Sequence, residues 1–344
     1  MSRRGIVAKF KTQYLANIPA EWVGSNMRNE AEERAPSAEL ASAIAAQVTG
    51  CSPETVSRFT TGAQHYVYEA KFAGREPVVV RIGRTTAHSE MTGAVYLSRL
   101  LRPRGVPLPA ILAEDVQSNF PWLVLERLPG TDLGAWIGNF TDSQLDRIAA
   151  TVAQAQSITS ETGSAGRYGY AVTPEEAPHS AWSQVLDAHL ARSQRRIASA
   201  GLFDIAFADV VQSELSRMRD DIDAIPPRPF LHDTTMKNVI VTTEGSVSGI
   251  VDVDDLCFGD PRYAAALTLA VLTVQRGPLQ YVSAWLRHAG LSDDRLFRLY
   301  VTLFLLDLMA EHGQVFNGNQ RPSSPQARAE LEQSFNGSLR FARA

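Results

Sequence analysis

Asp233, Asn238 and Asp252 are the residues whose types and spacing suit chemistry. They lie in "FLHDTTMKNVIV" (230–241) and "IVDVDD" (250–255). Asp233 follows a histidine and precedes Asn238 by five positions, and a β-branched run starts directly after the asparagine. The stretch "NVIVTTEGSVSGIVDVDD" predicts a hairpin turning at Glu244 and Gly245. A hairpin brings the outer ends of its strands together, so Asn238 and Asp252 are expected to be neighbours. An amide oxygen beside a carboxylate is a pair of hard oxygen ligands, as Mg²⁺ requires. That ion takes few protein ligands and leaves its other positions to water and phosphate. Asp254 and Asp255 follow Asp252 closely. Asp233, on the preceding loop, is left to orient and deprotonate a hydroxyl. Phosphoryl transfer needs this division of labour, because its catalysis is mostly positioning and charge neutralisation.

The elements that must position these residues divide the chain into unlike halves. "SAELASAIAAQVTG" reads as a helix capped by Ser37, with a stripe of Leu40, Ile44 and Val48 and an end at Gly50. From Val56 to Ile82, short β-rich runs separated by Gly62 and Gly74 predict an antiparallel meander. A helix over 88–102 follows, with Glu90, Ala94, Leu97 and Leu101 on one face. A carboxylate on such a face calls for a cationic partner. "PWLVLERLPG" adds a strand that ends at Pro129 and Gly130. Beyond it the composition turns helical. Thr141 and Gln144 have capping-box spacing, and helices are expected over about 181–200, 205–223, 263–275, 279–289 and 293–313, with the hairpin as a β island. The expected class is α+β and bilobal: an N-terminal extension over 1–36, a small antiparallel β lobe with one main helix over 37–128, and a larger helical lobe over 129–344 that carries the hairpin.

At "LHDTTMKN", "IVDVDD" and "FGDPRY" the chain resembles the aminoglycoside phosphotransferase and choline kinase-like superfamily of small-molecule kinases, which has a protein-kinase-like fold. Its hallmark is H-G-D-x-x-x-x-N, then a hairpin ending in I-D-x-E/D, then G-D-P, matched here down to Gly259-Asp260-Pro261. The resemblance covers roughly 55–275. It implies a γ-phosphate moved from ATP or GTP to a hydroxyl of a small molecule. Asp233 would be the catalytic base, and Asn238 and Asp252, with Asp254, would hold Mg²⁺. It also implies a phosphate-covering loop at Gly62, a phosphate-binding cation at Arg81 held by Glu90, and a hinge at Glu126 to Leu128 that bonds the purine edge. Lys237 resembles the basic residue of tyrosine-kinase catalytic loops, which neutralises the transferring phosphate. The chain departs from the family in three places. Leu231 and His232 stand where the family has His and Gly, Thr235-Met236-Lys237 replaces a His-Pro-Gly run, and Arg81 replaces the commoner lysine.

Composition bounds the alternatives. The net charge of -4 argues against a nucleic-acid binder that relies on phosphate contacts. The two cysteines, Cys51 and Cys257, are far apart and form no disulfide framework, which suits a reducing cytoplasm. The longest apolar stretches are too short to span a bilayer, and the basic start lacks the apolar core of a signal peptide. Taken singly, Asp233 is a turn residue, Asp254 and Asp255 are solvated acids, and Asp260 is a structural carboxylate. Trp285, Tyr300 and Phe304 read as core. Two other function classes were weighed. One is a non-catalytic, pseudokinase-like nucleotide-binding module, suggested by the departures in the loop. The other is an HD-type metal phosphohydrolase using His232 and Asp233, disfavoured because His232 precedes a strand. The acceptor is left open between an antibiotic, such as an aminoglycoside or macrolide whose modification gives resistance, and a small metabolite alcohol. Monomer and homodimer both fit.

Overall fold

The computed structural model describes residues 35–59, 65–316, 319–320 and 323–343. Gly62 and most of the expected N-terminal extension lie outside them. The chain forms two compact units, one within Met1–His88 plus Leu112–Leu125, the other Ser89–Ile111 plus Glu126–Ala344.

The first unit opens with α1 (Ala38–Thr49). The Ser37 side chain accepts from the Leu40 N–H at its start, and Gly50 closes it in the left-handed region at φ 72°. Next come β1 (Thr55–Arg58), β2 (Tyr66–Phe72) and β3 (Arg75–Ile82), each antiparallel to its predecessor. With β4 (Ile111–Asp115) and β5 (Trp122–Glu126) they make a five-stranded sheet in the order β1-β2-β3-β5-β4. Alternate residues of a strand share a face. Val78, Val80 and Ile82 accordingly join Ala41, Ile44 and Ala45 of α1 in one core. Arg81 faces the other way and is still only 6% exposed.

The second unit begins with α2 (His88–Leu101), which buries Met91, Ala94, Val95, Leu97 and Leu101. Here the expected face is corrected, because Glu90 is exposed. It sits in the first turn, where a carboxylate is favoured by the helix dipole and needs no burial. Then come β6 (Thr131–Asp132), α3 (Asp142–Ser160), β7 (Gly169–Ala171) and α4 (Trp182–Ala200). The capping box of Thr141 and Gln144 is formed at the start of α3. The helix expected over 205–223 is two pieces, α5 (Ala206–Arg217) and α6 (Arg219–Asp223), broken at Met218.

After β8 (Arg228–Phe230), the hairpin strands β9 (Val239–Val241) and β10 (Val247–Ile250) pair antiparallel, with Gly245 at φ 78° in the turn. The hairpin is not an isolated β island. Strand β6 extends it into a three-stranded sheet, and β11 (Leu256–Gly259) pairs with both β7 and β8 in another. The chain continues through α7 (Arg262–Gln275), α8 (Gln280–Ala289), α9 (Arg295–Glu311) and α10 (Pro325–Arg343). Helix α9 is buried from Leu296 to Glu311 apart from Arg298, and it packs against α4, α5, α7 and α10. Trp285, Tyr300 and Phe304 are core residues. No helix among the described residues is long and apolar enough to cross a membrane.

Candidate active site

The loop between β8 and β9 is fixed from below before any polar contact is made. Leu231 is 2% exposed and packs with Leu97, Leu101, Ala155, Ile250 and Phe258. Its backbone is bracketed by Gln156, a buried residue of α3: Oε1 accepts from the Leu231 N–H at 2.9 Å, and Nε2 donates to the Leu231 carbonyl at 2.8 Å. The same Nε2 lies 2.9 Å from Thr234 Oγ1. A leucine thus replaces the polar residue expected at this place, and burial plus a side-chain amide hold the loop.

On this base the loop turns back on itself. Asn238 Nδ2 donates to the Asp233 carbonyl at 2.9 Å, and the Thr235 hydroxyl donates to Asp233 Oδ1 at 2.9 Å. Lys237 Nζ lies 3.0 Å from Asp233 Oδ2. Burial disfavours the Lys237 ammonium, but the Asp233 and Asp252 carboxylates outweigh it and hold its pKa above the ordinary value. The Val251 N–H donates to the Asn238 carbonyl at 2.9 Å, which brings the start of β9 beside the residue before Asp252, as the hairpin predicts. Asp252 has φ 65°, a left-handed conformation that costs a non-glycine residue about 1–3 kcal/mol and concentrates at functional positions.

Asn238 is 5% exposed, and its amide nitrogen is committed to the Asp233 carbonyl, so its oxygen is the atom left for a ligand role. Among the described residues, no three His, Cys, Asp or Glu side chains stand together as a metal-binding group. An amide oxygen with one or two carboxylates is nonetheless the sparse set that Mg²⁺ takes when phosphate and water complete its shell, so the residues present fit this ion. Asp254 is pinned from the other side. A Cβ on Gly93 of α2 would stand 2.3 Å from the Asp254 carbonyl oxygen, so only glycine permits this approach.

His232 turns away from the role of a metal partner to Asp233. Its Nε2 lies 2.6 Å from Asp255 Oδ1, and the Tyr170 ring meets it edge-on at 4.9 Å. Burial disfavours the imidazolium, but Asp255, with Asp233 and Asp252, raises its pKa above the ordinary value. Asp260 is 3% exposed and structural. Arg262 Nη2 lies 2.7 Å from its Oδ2, and the Tyr300 hydroxyl donates to the same oxygen at 3.0 Å. Gly259 is required because any Cβ there would meet the Trp182 ring at 2.3 Å.

At the end of β5, Glu126 is tied to Ala110. Its N–H donates to the Ala110 carbonyl at 2.9 Å, and Oε2 accepts from the Ala110 N–H at 3.0 Å. Its carboxylate therefore serves local structure. Leu128 is buried, and its side chain lies where a Cβ on Gly249 would be, 2.6 Å away. Sequence reasoning overlooked Gln156, Gly93 and the role of Asp255. A glutamine on the buried face of α3 and a glycine inside α2 were the available signals.

The profile of the phosphotransferase enzyme family, APH, matches residues 55–300. No functionally curated protein sequence matches the chain. Among solved structures, the fold is similar to a thermostable mutant of aminoglycoside phosphotransferase APH(4)-Ia in ternary complex with ADP and hygromycin B. That protein is 15% identical, with 88% of this chain and 99% of the other covered and a TM-score of 0.60. The GDP and kanamycin complex of APH(2")-IIIa is 17% identical, with 89% and 98% covered and a TM-score of 0.61. A protein from Thermobifida fusca YX-ER1 described as a fructosamine-3-kinase is 19% identical, with 87% and 98% covered and a TM-score of 0.58.

Proposed function

The chain belongs to the phosphotransferase enzyme family and is a small-molecule phosphotransferase, and on that premise we propose how its own residues divide the work. Asp233 accepts the proton of an acceptor hydroxyl as the new O–P bond forms and the bond from the γ-phosphorus to the leaving nucleoside diphosphate breaks. The observation that carries this reading is the closed turn at Asp233, with Lys237 at 3.0 Å, the Thr235 hydroxyl at 2.9 Å and the Asn238 amide on its carbonyl. A carboxylate so held is positioned before substrate arrives, which is where most of the rate in phosphoryl transfer originates. Lys237 supplies positive charge beside the base and neutralises the phosphate in transit.

Asn238 and Asp252, with Asp254, are the proposed Mg²⁺ ligands. Bound there, the ion neutralises charge on the donor phosphates. Gly62 and Arg81 are assigned to the donor phosphates, Glu90 is the proposed carboxylate partner of Arg81, and the backbone of Glu126 to Leu128 is assigned to the purine of ATP or GTP. The acceptor is a small-molecule hydroxyl. Aminoglycosides, macrolides and amino or sugar alcohols are the classes to try, and cytoplasmic expression with an antibiotic challenge tests a resistance role.

The direct experiment incubates purified protein, Mg²⁺ and γ-labelled ATP or GTP with those panels. Label appearing on an acceptor in the wild type, and lost in Asp233→Ala, supports the assignment. Mg²⁺-dependent nucleotide binding with no transfer to any acceptor or to water would favour a non-catalytic module instead.

A further inference from the structure

We propose that His232, anchored by Asp255, is a positioning residue that clamps the loop carrying Asp233 to the segment carrying Asp252. The inference rests on the reading of Asp233 as the base. His232 immediately precedes Asp233, and Asp255 lies three residues beyond Asp252. A bond between the outer pair therefore brackets the inner pair. The contact is short, 2.6 Å from Nε2 to Oδ1, at the short edge of charge-assisted N–H···O hydrogen bonds. It stands at the opposite end from the other cross-tie, where the Val251 N–H meets the Asn238 carbonyl at 2.9 Å. Base and metal carboxylate are thus held between two ties, one made by backbone at the hairpin and one made by side chains.

The third wall of the clamp belongs to the same strand system. Tyr170 meets the imidazole edge-on, with ring centroids 4.9 Å apart and planes at 87°. It lies in β7, where Tyr170 and Ala171 pair with Cys257 and Leu256, directly after Asp255. The ring that holds His232 is therefore carried by β7, and the carboxylate stands directly before its partner strand β11. The recess bounded by 231–234, Asp252, Val253 and Asp255 measures about 10 Å³, room for one water. So little free volume shows that the two carboxylate-bearing segments are closely packed here.

The clamp also accounts for the missing glycine. Among the described residues, the non-glycine positions with positive φ are Asp252 and Arg276, so His232 has an ordinary backbone. Glycine's conformational freedom is not needed here, and a side chain is free to tie the loop down.

The test uses the full chain as His232→Ala, Asp255→Ala, the double variant, His232→Gln and the isosteric Asp255→Asn. The glutamine amide extends about as far as Nε2 and keeps a donor. The first readout is amide hydrogen exchange over 231–238 in the nucleotide-free protein, which does not depend on turnover. Exchange should accelerate in both alanine variants and return toward wild type in His232→Gln. The second readout is kinetic, with the acceptor found by screening or, failing that, with water as acceptor. His232→Ala should lower kcat on the order of 100-fold while the nucleotide KM changes by about 2-fold or less. The double variant should be no worse than the poorer single variant, as expected for partners in one contact. Should an alanine variant fail to fold, Asp255→Asn with His232→Gln carries the same comparison. Unchanged loop exchange, unchanged kcat in His232→Ala, or additive losses in the double variant would each overturn the clamp. A wild type that moves no phosphate to any acceptor or to water overturns the assignment of Asp233 instead, and loop exchange still decides the clamp.

Discussion

Gln156 holds Leu231 by both backbone groups, accepting from its N–H at 2.9 Å and donating to its carbonyl at 2.8 Å. The two residues are 75 positions apart, so helix α3 acts as a fixed ruler against which the loop carrying Asp233 is set. Gln156→Ala leaves a buried N–H and a buried carbonyl without this partner, and each such orphan costs about 1–3 kcal/mol. The expected result is a lowered unfolding midpoint in denaturant, with Gln156→Glu recovering only the acceptor half. An unchanged midpoint would mean that water replaces the amide.

What was legible in the sequence is what is local. The Ser37 cap, the Thr141–Gln144 box and the hairpin turn at Gly245 depend on residues within a few positions, and all three form. The approach of Asn238 to the residue before Asp252 was legible too, because loop and hairpin are continuous in the chain. Strands β6, β7 and β11 are two to four residues long and owe their existence to partners far away, so no run of sequence announces them. Glu90 misled because helical spacing put it on the apolar stripe, but in the first turn of α2 its neighbour Met91 is the buried residue and Glu90 faces outward. Asp255 looked like one more solvated acid until its imidazole partner was seen.

Asp233→Ala removes the proposed base and leaves the residues proposed for the purine and the metal unchanged. Transfer should fall by about 100- to 10,000-fold, the usual contribution of a positioned base, while calorimetric nucleotide affinity stays close to wild type. Turnover near the wild-type rate would sink the mechanism.

Asp252→Ala is expected to separate metal from nucleotide. In the wild type, titration with ATP or GTP should be tighter with Mg²⁺ than with chelator present, and the variant should lose that difference. Because alanine is strained at φ 65° at least as much as aspartate, Asp252→Gly is the useful companion. It relieves the backbone and still lacks the ligand. If Asp252→Gly retains the Mg²⁺ enhancement, Asp252 is not a ligand.

Gly93→Ala tests the pinning of Asp254. The added methyl would stand 2.3 Å from a backbone oxygen that cannot rotate away. Overpacking of this kind costs about 1–3 kcal/mol. Thermal unfolding should show the loss, whereas Gly138→Ala, with nothing within 4 Å of its added Cβ, controls for generic glycine effects.

Asp307 of α9 gives the acid limb of stability. It is 1% exposed; Ser193 donates to its Oδ1 at 2.8 Å, and Arg192 lies 3.4 Å away. Burial alone would raise its pKa, but Arg192, His189 and Arg196 together hold it well below the ordinary 3.8. A carboxyl depressed in the folded state adds stability that is complete above its unfolded value. That stability is lost as pH falls from there through the folded value. Unfolding free energy measured in urea should therefore decline below about pH 4 in the wild type. In Asp307→Asn, which leaves Arg192 without its carboxylate, stability at neutral pH should drop by about 3 kcal/mol, as when one partner of a buried pair is removed. The variant should also show a shallower acid decline, since the group responsible no longer titrates. Equal acid slopes in the two proteins would assign the decline to other carboxylates.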